Sequence, residues 1–383
     1  MKQIPITIAT IVANPIPFNS RLPKVNFIPL IPTTNITAAK IKFLDFAKST
    51  FSSINVLSPP VAIEPNNKKL IPPTTGVGIV LISADIFPEN PKEIFFMIKE
   101  KFTLKKPLLS FEVFPPKKDG DFDSAYKTLQ ELSLFHPDFI SVTYGAGGSK
   151  SKKTAAIASY IQNELNIDAL AHMTCVGNKT EDIEQVCEEL AVANVSHILA
   201  LRGDRPAAMT DEQYSARDFQ FASGLVKYLK RSTSFHVSGA CYPEKHFETL
   251  TLEDDLLHLK DKVDAGCDFL ITQLFFDNRY FYDFRERCQQ KGISVPICTG
   301  IMPITSASQL GTTVSLSGSS VPKELSDLIA RYGENPEDMR KSGIDYAIRQ
   351  VMDLKEHGVD GIHLYTMNKS KTAGDIALAA GLC

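Results

Sequence analysis

Eight short apolar, β-branched runs recur between residues 108 and 368, and most end on a reactive polar side chain. They span 108–116, 139–145, 169–175, 197–204, 237–242, 269–273, 295–301 and 361–368. Apolar runs of this kind are buried on both faces only where helices cover a parallel sheet. Stretches of 3.6-residue apolar period alternate with them, at about 122–134, 150–164, 179–193, 215–230, 251–265, 278–290, 335–356 and 371–380. In the third of these, Ile183, Val186, Cys187 and Leu190 form one apolar face, and Thr180, Glu181 and Asp182 suit its N-terminus. Residues 251–254, Thr-Leu-Glu-Asp, resemble a capping box. Strand–helix alternation repeated eight times predicts an α/β fold, a (β/α)8 TIM barrel. An open doubly wound sheet is the alternative. It is disfavoured because polar residues close nearly every strand, not only those at one switch point.

The pattern stops at residue 97. Residues 1–96 hold 13 of the 23 prolines and 2 of the 21 glycines, and carry 9 Lys/Arg against 5 Asp/Glu, a net of +4. Residues 97–383 carry 32 against 39, a net of −7, with all eight histidines and all seven cysteines. Prolines interrupt almost every candidate element of the first part. The chain therefore divides into a Pro-rich N-terminal extension of no predicted fold, 1–96, and a catalytic barrel, 97–383. Three readings of the extension stay open: a disordered segment, a targeting segment, or a stretch missing from the mature protein because translation starts at Met97. A secretory signal is the weaker form of the second, since Pro5 and Pro15 bracket the apolar stretch after Met1-Lys2.

Overall charge is −3, which favours neither nucleic acid nor an anionic membrane. Seven cysteines without C-x-x-C spacing point to buried thiols in a reducing compartment, and no metal site is expected. No apolar run reaches the roughly 20 residues of a membrane span.

The strand ends supply candidate chemistry. Glu112 lies inside an apolar strand. An outward-facing glutamate is the bland reading, but a closed barrel has no exposed edge, and a buried carboxyl kept protonated is suited to donating a proton. Residues 143–149 form a glycine-rich turn that could bring backbone N–H groups to a ligand, or merely turn tightly. They match neither a Walker loop nor the dinucleotide fingerprint. Arg202-Gly203-Asp204 reads as a surface turn or as a loop at the active mouth. His172 is more often a satisfied core histidine than a catalyst. Asp255 and Lys262 could be a solvated helix pair. Gln273 suits hydrogen bonding to a polar heterocycle.

Taken in order and spacing, residues 111–116, 142–149, 172–175, 201–204, 242–246, 262–266 and 272–273 resemble the methylenetetrahydrofolate reductase family, the flavin-dependent barrel of one-carbon metabolism. The resemblance covers about 105–383 and points to the bacterial catalytic-domain form, without the regulatory domain of eukaryotic members. It implies a cytoplasmic homo-oligomer that binds FAD and takes hydride from NADH or NADPH by ping-pong kinetics. The product, 5-methyltetrahydrofolate from 5,10-methylenetetrahydrofolate, would serve methionine synthesis.

Carried over residue by residue, Glu112 is the general acid that protonates N10 as the folate ring opens. The resemblance assigns FAD contacts to Tyr144, Ala146, His172, Arg202, Gly203, Asp204, Ala222, Ser223, Tyr242, His246, Asp255 and Lys262, and the nicotinamide side to Thr143. Asp204, Gln273, Gln309 and Lys369 are its folate contacts. Arg202 and Lys262 suit pyrophosphate charge. Three departures stand out. Lys369 replaces an arginine of some members, 309–316 lacks an aromatic residue, and Asp261 stands where a basic residue can help hold the cofactor. Two other classes remain: a flavin barrel with a different acceptor, such as a proline dehydrogenase-like oxidase, and a non-enzymatic barrel that binds flavin or folate without turnover.

Overall fold

The computed structural model describes residues 97–116, 121–144 and 149–383, and before them only two paired antiparallel strands, Ile11–Ala13 and Ile54–Val56. The sequence assigned those strands no element. The chain divides into two units, Met1–Phe95 and Phe96–Cys383, and the second holds the barrel.

Its eight strands are β1 Leu108–Val113, β2 Phe139–Val142, β3 Asp168–Thr174, β4 His197–Leu201, β5 His236–Cys241, β6 Leu270–Thr272, β7 Ile297–Ile301 and β8 Gly361–Tyr365. All pair in parallel, each with its sequence neighbour, and β8 closes on β1. The expected barrel is present.

Strand parity sorts the side chains. On β1, Leu109, Phe111 and Val113 join the large apolar layer under the helices, together with Ile140, Ala171, Ile198, Val237 and Ile362. The alternate residue Leu108 packs inside the barrel with Phe139, Leu170, Leu199, Phe269 and Cys298. Period-2 alternation therefore sends Ser110 and Glu112 inward above Leu108, and the register sets Glu112 beside Ser141 and Tyr365.

The helices are α1 Ile98–Leu104, α2 Phe122–Ser133, α3 Ser149–Asn163, α4 Thr180–Val192, α5 Asp211–Ser215, α6 Ala222–Ser232, α7 Leu252–Asp264, α8 Asn278–Gln290, α9 Ala307–Ser317, α10 Lys323–Tyr332, α11 Pro336–Glu356 and α12 Ser370–Ala379. Four of them, α1, α5, α9 and α10, have no counterpart among the helices expected from periodicity. Helix α6 begins at 222, not 215. The preceding segment is held out of helix by its own contacts: Arg217 donates to the Tyr214 carbonyl at 2.6 Å, and Asp218 accepts the Thr180 N–H at 2.8 Å. Thr251 caps α7 as the motif suggested, accepting the Asp254 N–H at 3.1 Å.

Helix α1 plugs the N-terminal end of the barrel. Ile98 and Phe102 are buried against the inner ring at Leu108, Phe139 and Phe269. Its lysines reach the aspartates that precede or open the strands: Lys99 to Asp268 at 3.3 Å, Lys101 to Asp168 at 2.8 Å and Lys105 to Asp138 at 3.1 Å. Water is thus excluded from that end, and the accessible end is the one with the candidate residues. Six of the seven free cysteines are buried, as expected for thiols used as small core residues. No helix among the described residues is long and apolar enough to cross a membrane.

Candidate active site

Glu112 closes the inner face of β1 and is 8% exposed. Its Oε2 lies 3.6 Å from Nε2 of His172 on β3 and 3.8 Å from Nε2 of His363 on β8. His363 is fully buried and is held from below by the Ser110 hydroxyl at 2.8 Å. Burial pushes the His172 pKa down to about 4, against the smaller opposite pull of Glu112. Neutral at physiological pH, His172 leaves its buried Nε2 without a hydrogen-bond partner. Such an atom, adjoining a carboxyl at the open end of a barrel, can take a hydrogen bond from an incoming ligand or give one to it.

The strand end beneath the acid is tied down by several hydrogen bonds. Thr366 donates both its hydroxyl, at 2.7 Å, and its N–H, at 3.3 Å, to the Glu112 carbonyl. Asn368 exchanges two 2.9 Å bonds with the Phe114 backbone. Met367 and Asn368 both take positive φ, 51° and 56°, to make this clamp. Across the mouth, the Tyr365 hydroxyl donates to the Thr272 carbonyl at 2.7 Å.

A second group forms at the ends of β4 and β5. Gly203 has φ +81°, and an added Cβ would lie 3.0 Å from Thr174 Cβ, so the turn carrying Arg202 requires glycine. The Arg202 guanidinium grips Glu248 through both terminal nitrogens and lies 3.5 Å from His246 Nε2, while its buried Nε has no partner. His246 and half-buried Tyr242 pack edge to face, with ring centroids 4.8 Å apart. Asp255 accepts the His246 N–H at 3.3 Å, and Lys262 donates to the Ala240 carbonyl at 2.6 Å. Asp255 and Lys262 are therefore separate supports of the β5 end and not a solvated pair. Orphaned cationic donors beside a glycine turn fit an acceptor-rich diphosphate.

A third group sits on the rim. Gln309 accepts the Thr305 N–H and hydroxyl at 3.0 Å each, and Lys369 reaches the same hydroxyl at 3.3 Å. Two of the expected folate residues thus meet at Thr305. Gln273 lies at the β6 end, where its Oε1 accepts the Leu274 N–H at 2.9 Å. Asp204 is exposed at the mouth. Thr143 follows β2, its N–H on the Val113 carbonyl at 3.1 Å, and the Tyr144 hydroxyl donates to Asn178 at 3.0 Å. Ala222 and Ser223 open α6, whose first turn carries no acidic residue and no side-chain cap. Ala146 lies outside the described residues.

Sequence reasoning missed His363, Tyr365, Glu248 and Asn368. The first two could have been found by parity, since β8 alternates Gly361, His363, Tyr365 on the face that β1 gives to Glu112. Asn368 carried the run-end signal, as the last residue of 361–368, and no local signal marks Glu248.

A family model described as methylenetetrahydrofolate reductase matches residues 97–381. The chain belongs to that family. Among methylenetetrahydrofolate reductases, it is 32% identical over 274 residues to the 5,10-methylenetetrahydrofolate reductase of Pectobacterium carotovorum subsp. carotovorum, covering 72% of this chain and 90% of that protein. The Escherichia coli K12 protein of the same name gives the same figures. The methylenetetrahydrofolate reductase (NADH) 1 of Arabidopsis thaliana is 33% identical over 284 residues, 71% of this chain but 48% of that longer protein. Membership makes this chain an oxidoreductase, and the matched span coincides with the barrel and its plug helix.

Proposed function

We propose that this methylenetetrahydrofolate reductase family member reduces 5,10-methylenetetrahydrofolate to 5-methyltetrahydrofolate, with FAD held at the barrel mouth and NADH or NADPH as reductant. The observation that carries the reading is Glu112, buried at a strand end between His172 and His363. Opening the folate imidazolidine ring makes N10 a leaving amine that needs a proton, and Glu112 stands as its donor. When bound, FAD supplies the hydride relay between nicotinamide and folate, which makes the kinetics ping-pong.

The chain's own residues divide the remaining work. Arg202 and His246 hold the cofactor's diphosphate, and the open first turn of α6 at Ala222 and Ser223 adds N–H donors. Tyr144, Ala146, His172, Gly203, Tyr242, Asp255 and Lys262 line or support the flavin site as a whole, with Thr143 on its nicotinamide side. Asp204 offers a negative charge to the cationic iminium that ring opening creates. Gln273 orients the pterin and the nicotinamide in turn. Lys369 and Gln309, joined through Thr305, receive the far end of the folate. Lysine at 369 makes that grip a point charge and not a bidentate fork. The reading extends to a cytoplasmic enzyme whose product serves methionine synthesis. The free, buried thiols are consistent with a reducing compartment.

Glu112→Gln keeps the volume and removes the acid. The variant should retain flavin and its bleaching by NADH. It should lose folate reduction by about 10²- to 10⁴-fold, the usual worth of a general acid. Rapid-mixing absorbance of the two half-reactions measures both; folate turnover at the parent rate would overturn the assignment.

A further inference from the structure

The segment after β5 is folded by internal bonds. Lys245 takes φ +65°, and its ammonium donates to the Thr249 carbonyl at 2.7 Å. Asp255 on α7 accepts the His246 N–H and, at 3.2 Å, the Thr249 hydroxyl. His246 is further held by Tyr242 and by a stack on Phe247 with centroids 4.6 Å apart. This frame delivers two groups to Arg202: the His246 ring and the Glu248 carboxylate.

Their proton inventory decides what the cluster lacks. The Glu248 N–H donates to His246 Nδ1 at 3.2 Å. Burial and then Arg202 lower the His246 pKa, which favours the neutral ring, and with Nδ1 accepting the Glu248 N–H the neutral ring carries its proton on Nε2. Nε2 faces the Arg202 terminal nitrogen at 3.5 Å, donor against donor. Glu248 takes one N–H from each terminal nitrogen of Arg202. The guanidinium has five N–H donors; one terminal nitrogen faces both Glu248 and His246, so the buried Nε–H and the second hydrogen on the other terminal nitrogen remain.

We infer that Glu248 is a positioning residue for the cofactor's diphosphate: it grips one edge of Arg202 and leaves the guanidinium's other donors, with the His246 Nε2–H, turned toward an incoming anion. The inference rests on the flavin reading above. Glu248 does not take every donor of Arg202, because it leaves the buried Nε without a protein partner. Arg202 is 17% exposed and Glu248 47%, so the carboxylate forms the outer wall and the guanidinium the inner one.

The test uses the full chain stripped of flavin, with FAD, ADP and riboflavin as probes. Flavin binding is read by fluorescence quenching and ADP binding directly by titration calorimetry. Glu248→Gln should weaken FAD and ADP by about 10-fold each, one charge-assisted bond's worth, and leave riboflavin unchanged. Glu248→Asp, which keeps the charge, should fall between the two. Equal weakening of riboflavin would show a general support of the loop and overturn the inference. So would tighter FAD binding, the mark of a competitor, or unchanged FAD and ADP affinity. If the parent chain bound ADP in a Glu248-dependent way but refused FAD, the flavin reading would fail while the role of Glu248 stood.

Discussion

Gly300 shows how one missing methyl group shapes the mouth. A Cβ there would lie 2.4 Å from the Thr272 carbonyl oxygen and 2.7 Å from the Tyr365 ring. The absence of a side chain lets Tyr365 cross from β8, past β7, to bond the β6 backbone next to Gln273. Gly300→Ala should force that contact apart and cost about 1–3 kcal/mol, the usual penalty of overpacking. Urea midpoints measure the cost. Loss of folate reduction with flavin retained would show that the displaced groups lie on the substrate side. The residue scale is also where the sequence was least informative. A glycine inside an apolar strand reads as a weak spot, and nothing nearby in sequence names the tyrosine 65 positions on that it admits.

Among the elements, α1 is the one whose role is clearest in the structure and least evident in the chain. Its seven residues are too few to show a helical period. What makes it a helix is the apolar ring at the barrel's N-terminal end, which accepts Ile98 and Phe102, and the aspartates that accept its lysines. Phe102 is 2% exposed. Phe102→Ala should destabilise the barrel by about 3–5 kcal/mol, the range for emptying an aromatic core site. It should leave bound flavin at its normal stoichiometry, since the plug lies at the opposite end from Glu112. Chemical unfolding and the flavin-to-protein absorbance ratio test the two parts. Because α1 completes this core and the family match begins at residue 97, we propose that a chain starting at Met97 folds and binds flavin as the full chain does.

For the whole molecule, the cost of keeping histidines neutral inside a barrel appears as a pH dependence. Burial lowers the pKa of His172 to about 4 and that of His197, which stacks on His236, to about 3. In the unfolded chain both rings take up a proton near pH 6.5. Between those values the unfolded state binds more protons than the folded one, so stability falls as pH drops below about 6.5. Urea midpoints should decline steadily from pH 6.5 toward 4. His197 also accepts the Ile98 N–H at 3.4 Å. His197→Gln should therefore lower stability at pH 7 while flattening the decline; an unchanged slope would remove His197 from the account.

The barrel itself was legible in the chain because eight apolar runs, each buried on two faces, have few other ways to be satisfied, and strand ends then mark the reactive mouth. Glu112, Arg202 and Gln273 stood out because polar residues closing such runs lack a packing role. The sequence could not supply pairings across strands. His363 meets Glu112 only because β8 closes on β1, 251 positions away in the chain. Glu248 meets Arg202 only because Asp255 pins the intervening loop. Helix α9 has only a weak apolar period, whereas α10 repeats Leu325, Leu328, Ile329 and Tyr332 at helical spacing, a signal the reading of strand–helix pairs passed over; both pack on a local apolar cluster around Leu274, Ile304, Leu325 and Met339, outside the barrel's main core. Local pattern determined the strands and their polarity; ring closure and loop anchoring, which depend on residues far apart in sequence, decided which side chains face one another.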